Sequence, residues 1–293
     1  MLSVTKKLLR PWFRRLVIRA SRSYVAGETL SEAVNTSTII QSKGYSTTLG
    51  FWNADEDSSE SVIQEYMNAI DETNKFEHES YVSIKGPAFG FRSDLYQELI
   101  KHTRSKQVPL HFDSLSHESA NSMFRLIQNE TPSPRQDFSC SMPGRWKRSL
   151  KDAELAIEMG LIVRVIKGQW PDPENPEADM TAGFLAVVRQ LAGKSRIVRI
   201  ATHNATLARQ SIQILREADT KCELELLYGL PVGQILPIAN EMRVPVRLYV
   251  PYGQAWIPYS LDRVRKQPRM LLWLAKDAIF GTGLKSLPNK LIK

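Results

Sequence analysis

Ser149–Gly168 reads SLKDAELAIEMGLIVRVIKG and holds one complete helix–strand unit. Ser149-Leu-Lys-Asp152 is a helix start and Gly160 a stop: a short hydroxyl residue can cap orphan amides, and glycine adopts the left-handed turn that ends a helix. Residues 161–166, LIVRVI, are then a short β-rich run, closed by Lys167-Gly168.

The same unit recurs in both directions. STTLGF (46–51), YVSIK (81–85), PLHFD (109–113), DFSCS (137–141), RIVRIA (196–201), CELELLY (222–228) and PVRLYV (245–250) are further β-rich runs. Stretches of helical period lie between them, including SLSHESANSMFRLIQ (114–128), ATLARQSIQILREA (205–218) and VGQILPIANEM (232–242). Unbroken alternation of β and α requires parallel strands joined by crossover helices. Eight units in about 250 residues is the count of a closed (βα)8 TIM-type barrel. An open doubly wound sheet is the alternative; the GxGxxG that would favour it is missing. The first and fourth strands are the most polar. The barrel is expected over residues 44–293, ending in a basic helical tail, after an N-terminal helical segment of residues 1–43. In that segment Thr29 and Glu32 have the spacing of a capping box.

At 293 residues, 42% hydrophobic and 24% charged, the chain is ordinarily globular and long enough for one large barrel. Its net charge of +8 gathers at the ends, with seven Lys or Arg and no acid in residues 1–27. The near-neutral middle argues against a nucleic-acid-binding face over the whole fold. Cys140 and Cys222 are far apart, without a CxxC or a Cys/His cluster, so unpaired thiols, a reducing compartment and no metal site are expected. No run reaches the ~18 apolar residues of a membrane span. MLSVTKKLLRPWFRRLVIRASRSY (1–24) is basic and amphipathic. It reads as a helix packed on the domain, as a contact with an anionic membrane surface, or as an Arg-rich presequence. The first two are preferred together, which implies a cytoplasmic protein with a peripheral contact on the inner face of the membrane.

In such barrels chemistry sits at the C-terminal ends of the strands. There the sequence puts Trp52, Asn53, Lys85, Asp113, Arg164, Lys167, Gly168, Thr202, His203, Asn204, Arg247 and Tyr249. Farther on, Tyr259, Asp262, Arg263 and Lys266 share one helical face at i, i+3, i+4 and i+7. Lys85, Arg164, Lys167, His203 and Arg263 against Asp113 make a cationic mouth, suited to a carboxylate or phosphate. Arg164 has a structural reading too, as the partner of Asp113 or Glu225 in a polar barrel core, and Asn204 can be a helix cap.

These residues carry a resemblance. YVSIK, LHFD, VRVIKG, IATHNATLA, ELELLYGL and VRLYVPYGQAWIPY, in that order, resemble motifs of the proline dehydrogenases, flavin enzymes on a distorted (βα)8 barrel. The likeness runs from YVAGETLSEAV to Pro268. It implies an FAD-dependent oxidoreductase that converts a proline-like imino acid or related small amine to an imine, by hydride transfer to flavin N5. It implies that Arg164 lies beside N5, that Lys167 and Gly168 touch the flavin and Trp170 covers it. Thr202, His203 and Asn204 would meet the ribityl and pyrophosphate, and Arg263 completes the cofactor set. Lys85, Asp113, Tyr249, Tyr259, Asp262 and Arg263 would line the substrate pocket, with Arg164, Lys85 and Asp113 as the catalytic group. Cations beside an isoalloxazine stabilise its reduced anion. A quinone or another electron acceptor is the implied partner, with no nucleic acid. On this reading Arg164→Ala cuts flavin reduction and leaves the fold intact.

The sequence departs from the family at defined points. Asp262-Arg263 stands where the family presents two arginines, which breaks a bidentate carboxylate clamp. Lys266 stands for a glutamate near the cofactor. Pro143-Gly144-Arg145 replaces QAY, removing a glutamine from the flavin edge, and the first strand ends in FWNAD. An acid at the clamp suits a substrate with an extra amino group or no carboxylate. Alternatively, Arg145 replaces the lost cation and L-proline remains the substrate. A non-catalytic barrel serving as a binding or scaffold protein is a different class of function, and aldol or phosphate-binding barrel chemistry is a third. Bound flavin separates these.

Overall fold

Eight parallel strands pair in sequence order and close on themselves, β8 returning to β1, in a computed structural model that describes residues 26–130, 138–254 and 287–289. They are β1 (Ser46–Phe51), β2 (Tyr81–Ile84), β3 (Leu110–Phe112), β4 (Phe138–Pro143), β5 (Ile162–Ile166), β6 (Ile197–Ile200), β7 (Lys221–Leu227) and β8 (Val246–Tyr252). The expected strands are all present, with bounds that agree within two residues. Around them run α1 (Leu30–Ser42), α2 (Ser59–Thr73), α3 (Ser93–Lys106), α4 (Ala120–Glu130), α5 (Ser149–Glu158), α6 (Met180–Leu191), α7 (Ala205–Glu217) and α8 (Leu236–Glu241). The closed (βα)8 barrel is therefore the fold.

Strand residues alternate between two surroundings. Leu49, Val82, Phe112, Val163, Val165, Val198, Leu224 and Val250 are buried in the apolar layer beneath the helices. The helices answer with stripes such as Val62, Ile63, Tyr66, Ala69 and Ile70 on α2. The other alternate residues face the barrel axis, and there the composition reverses. Thr48, Tyr81, His111, Ser139, Ser141, Arg164, Arg199, Glu223, Glu225 and Arg247 are all buried. This explains the polar first and fourth strands: their hydroxyls supply partners to buried charges.

The N-terminal side of α1 is fixed as expected. Thr29 Oγ1 accepts from Glu32 N–H, and the Glu32 carboxylate accepts from Thr29 N–H at 3.1 Å. At the other end, Gln41 Nε2 donates to Ser80 Oγ at 2.8 Å and to Thr47 Oγ1 at 3.2 Å, so α1 is bound to the first two barrel units.

α5 begins at Ser149 as expected, though without that residue's cap, and two other helix starts differ from expectation. Ser149 does not cap α5; its hydroxyl donates to Pro143 O at 2.6 Å, and Arg148 is the capping position, with its guanidinium on Asp152. In 114–128 the helix begins only at Ala120, because Ser119 donates backward to Ser116 O, the local bonding by which serine competes with helix. In 232–242 Pro237 confines α8 to a short run, since proline is tolerated only in a first turn. The helical face of Tyr259, Asp262, Arg263 and Lys266 and the basic stretch 1–24 lie outside the described residues. Among the described residues, no helix is long and apolar enough to cross a membrane.

Candidate active site

Arg164 enters the barrel from the middle of β5 and is gripped on three sides. Its Nη1 donates to Glu225 Oε1 on β7 at 2.7 Å, and Nη2 donates to Asp113 Oδ1 just after β3. Nε and Nη2 both donate to Ser141 Oγ on β4, at 3.1 and 2.9 Å. Burial opposes the charge of Arg164, but Glu225 and Asp113 outweigh it and hold the guanidinium firmly protonated. Both carboxylates that the sequence offered as partners are used, and both at once. A guanidinium has five N–H donors. Four are committed here, which leaves one on Nη1 for a further acceptor.

Tyr249 of β8 lies against this fork, its ring 5.3 Å from Arg164 Cζ. Its hydroxyl donates to Asp113 Oδ2 at 3.2 Å and accepts from Trp52 Nε1 at 3.4 Å. Burial and the Asp113 charge keep the phenol protonated. Gly50 of β1 makes room for it: a methyl group there would run into the Tyr249 hydroxyl. Lys85 follows β2, donates to Phe51 O, and lies 5.8 Å from the Trp52 ring centre. Its ammonium is pulled down to about 8, chiefly by burial, with Asp113 acting the other way. Lys85, Asp113, Arg164 and Tyr249 are thus one cluster at the C-terminal mouth.

A second ionic layer fills the N-terminal half of the axis. Glu223 accepts from Arg199 Nε at 3.2 Å and from Arg247 Nε at 3.1 Å. Both guanidiniums lie on the Tyr81 ring, at 4.2 and 4.6 Å, and the Tyr81 hydroxyl donates to Glu225 in the layer above. Arg247, placed at the mouth by strand position, belongs to this lower layer. Burial would raise the Glu223 carboxyl, but Arg247 and Arg199 keep it below its ordinary range.

The rim around β5 and β6 holds the remaining expected residues. Gly168 has φ +92, and a methyl group on it would press on Pro143 Cβ at 2.8 Å and Arg145 Cγ at 3.0 Å. Arg145 itself donates to Gln169 O and Pro176 O, at 3.0 and 3.1 Å, so it pins the β5–α6 loop. That commits its guanidinium to the loop. Its Nε–H is buried without an acceptor. Lys167 is half-buried, and Trp170 is exposed, with its carbonyl accepting from Trp146 Nε1 at 2.9 Å. Asp172 orders the rest of the loop by accepting from Lys147, Glu174 and Asn175 N–H. At the end of β6, Thr202 is buried and accepts from Asn204 N–H; Asn204 caps α7 through Leu207 N–H at 2.9 Å. His203 bridges to the seventh unit, donating from Nδ1 to Pro231 O and accepting at Nε2 from Leu227 N–H.

Of the residues expected to make the mouth cationic, Arg263 lies outside the described residues. Arg164 and Lys85 face Asp113 and Glu225, so the described cluster balances in charge. The strand pattern hid Glu225 in an apolar-looking run, although its alternation with Glu223 marked both as facing the axis. Ser141, His111 and Thr48 were missed as functional lining, because no single residue among them signals a site.

No family model matches the chain. Proline dehydrogenase 1 of Bacillus subtilis strain 168 is 25% identical over 282 residues, covering 88% of this chain and 90% of that protein. Proline dehydrogenase 2 of the same strain is 23% identical over 289 residues, covering 92% and 93%. The chain is similar to the proline dehydrogenases over about nine-tenths of its length. The crystal structure of proline utilization A from Bdellovibrio bacteriovorus inactivated by N-propargylglycine superposes with a TM-score of 0.74 at 15% identity, over 86% of this chain. The match spans 33% of that longer chain, and the likeness there is one of fold.

Proposed function

We propose that the chain is a flavin-dependent proline dehydrogenase that oxidises the ring C–N bond of L-proline, or of a closely related imino acid, to an imine. The observation that carries this reading is Arg164, fixed at the mouth of a proline dehydrogenase barrel with one uncommitted N–H donor.

The residues present fit FAD. Arg164 offers that donor to a ring acceptor, and the buried Arg145 Nε–H beside Gly168 seeks another. The first turn of α7 offers backbone amides of the kind that bind phosphate. Arg164, Lys167, Gly168, Trp170, Thr202, His203 and Asn204 would hold the cofactor, with Arg263 from outside the described residues. When bound, FAD supplies the two-electron acceptor for a hydride.

This chain's side chains bind and orient the imino acid. Lys85, while protonated, attracts the carboxylate, and Asp113 attracts the ring ammonium, which must shed a proton before its neighbouring C–H can leave as hydride. Tyr249 keeps Asp113 oriented by its hydroxyl. Arg164 provides a fixed positive charge that favours reduction. Tyr259, Asp262 and Arg263 would complete the pocket.

One observation favours a second substrate class. Asp113 and Glu225 already balance Arg164 and Lys85, so a proline-like amine without a carboxylate meets no charge penalty. Anaerobic bleaching of bound flavin tests both, with proline, hydroxyproline, pipecolate and decarboxylated or diamino analogues. Bleaching by none of them removes the enzymatic reading, and a colourless protein favours a scaffold.

A quinone or other acceptor reoxidises the flavin, and residues 1–22 touch an anionic membrane from the cytoplasmic side. Salt-sensitive sedimentation with anionic liposomes, lost on truncation, is the expected result. Equal sedimentation of both forms removes the membrane contact.

A further inference from the structure

His111 is a buried titratable group at the barrel axis that the proposed reaction does not use. It lies on β3, fully buried, with Nδ1 2.7 Å from Ser139 Oγ and Nε2 2.9 Å from Ser141 Oγ. The Asp113 carboxylate is 3.8 Å from Nε2, beyond hydrogen-bond reach. The Tyr81 ring lies 5.5 Å away on another side.

Hydrogen-bond accounting decides how the ring is protonated. A serine hydroxyl has two lone pairs and one proton. Ser141 Oγ receives two N–H groups from Arg164, at 3.1 and 2.9 Å, so its lone pairs are filled. Its proton therefore goes to His111, and Nε2 is a bare acceptor. On the other side, Ser139 Oγ receives Arg199 Nη1 at 2.9 Å and sends its own proton to Leu110 O at 3.3 Å. One lone pair remains there for a proton on Nδ1. The opposite tautomer would aim Nε2–H at a filled oxygen and leave the Ser141 proton without an acceptor. An imidazolium has the same defect. Burial, reinforced by Arg164, Arg199 and Arg247, also drives the ring to its neutral form.

We propose that His111, as its Nδ1–H tautomer, is a positioning residue for Arg164: by taking the Ser141 proton it dedicates both Ser141 lone pairs to the guanidinium. The chain of contacts Arg199–Ser139–His111–Ser141–Arg164 joins the two ionic layers across the barrel. With the fork held by Ser141 as well as by two carboxylates, the uncommitted Arg164 N–H has one direction. The kinetic part of this claim rests on the functional reading above; the structural part stands alone.

The test uses full-length protein loaded with FAD. Nitrogen-15 NMR should show a protonated Nδ1 and a bare Nε2 for one histidine, assigned by its loss in His111→Asn. The Arg164 Nε–H should exchange with solvent at least ~10-fold faster in Ser141→Ala and His111→Asn than in wild type. His111→Gln, whose amide oxygen reaches Ser141, should restore slow exchange. In anaerobic rapid mixing with L-proline, His111→Asn should lower the limiting rate of flavin reduction at least ~10-fold, the scale of a misplaced catalytic group, with KM within about twofold. The glutamine variant should recover most of the rate. A protonated Nε2, or Arg164 exchange unchanged in Ser141→Ala, overturns the proposal. If wild-type flavin is not reduced by any imino acid, the functional reading falls, and the tautomer and exchange data still decide the positioning claim.

Discussion

Arg164 Nη1 stands 2.7 Å from Glu225 Oε1, two strands away round the barrel, with the side chains only 7% and 2% exposed. An ion pair so placed is hard to break from one side, because the survivor stays buried and unpaired. The expectation that Arg164→Ala leaves the fold intact therefore changes. That variant strands both Glu225 and Asp113 and should cost about 3–5 kcal/mol of stability. Arg164→Lys keeps a cation between the carboxylates but loses the fork. It should retain most of the wild-type stability in urea unfolding and still lose flavin reduction by more than ~10-fold. A lysine variant that reduces flavin normally would show that charge alone, without the fork, is enough.

Lys85 gives the site a pH dependence. Its ammonium titrates at about 8 in the folded protein. As pH rises through that value the cation proposed for the substrate carboxylate disappears, so KM for L-proline should climb above pH ~8 while kcat changes less. Lys85→Met should have a high KM at every pH. For stability the sign is opposite: between about 8 and the ordinary lysine value near ~10.4, the unfolded chain holds a proton that the folded chain has released, so this residue's contribution rises with pH. A flat KM profile to pH 9.5 would remove Lys85 from the carboxylate.

Gly50→Ala tests the packing of the mouth. The new methyl meets the Tyr249 hydroxyl and ring, and that residue is confined by Trp52, Asp113 and Arg164. Overpacking of this kind costs about 1–3 kcal/mol. Tyr249 must move, so the melting temperature and the flavin-reduction rate should fall together. A wild-type rate in a flavin-loaded Gly50→Ala protein would mean that Tyr249 is dispensable.

Asp172 controls the loop that carries Trp170. Burial alone would raise its carboxyl, yet the amides of Lys147, Glu174 and Asn175 hold it below the ordinary range. Its contribution is present above the normal carboxylate pKa of ~3.9 and is lost as pH falls through its own lower value. Asp172→Ala should expose residues 169–179 to limited proteolysis at neutral pH, where wild type resists. Equal cleavage patterns would show that the loop is ordered by Arg145 alone.

Much of this architecture was readable in the chain. LIVRVI and its seven counterparts stand out because strands buried beneath helices need continuous apolar or alternating runs, and capping at Thr29 and Asn204 is a local matter of one side chain and one amide. Arg164 and Asp113 were recognisable as mouth residues because charge inside a strand is costly without purpose. The contribution of Ser141 was hidden, since serine in a strand is common and its partner is distant in sequence. Glu225 was visible only as an alternative partner for Arg164; that it and Asp113 bind together depends on barrel closure. The side chain of Ser149 misled for a related reason: a hydroxyl before a helix usually caps, but here it donates to Pro143 O at the end of β4.

The axis residues divide unequally along the chain. Apart from Lys85 and Asp113 at the mouth, the charges come from β5–β8, as Arg164, Arg199, Glu223, Glu225 and Arg247. The strands β1–β4 contribute Thr48, Tyr81, His111, Ser139 and Ser141. Cut between β4 and β5, the protein becomes two dissimilar half-barrels, one a source of fixed ions and the other a lining of hydroxyls, an imidazole and a phenol. Two copies of the later half would lack Ser139 and Ser141, the hydroxyls that receive Arg199 and Arg164, and two copies of the earlier half would leave those hydroxyls facing one another. Each half is completed only by the other, so the barrel behaves as a heterodimer written on one chain, and self-pairing of fragments is disfavoured by its own chemistry.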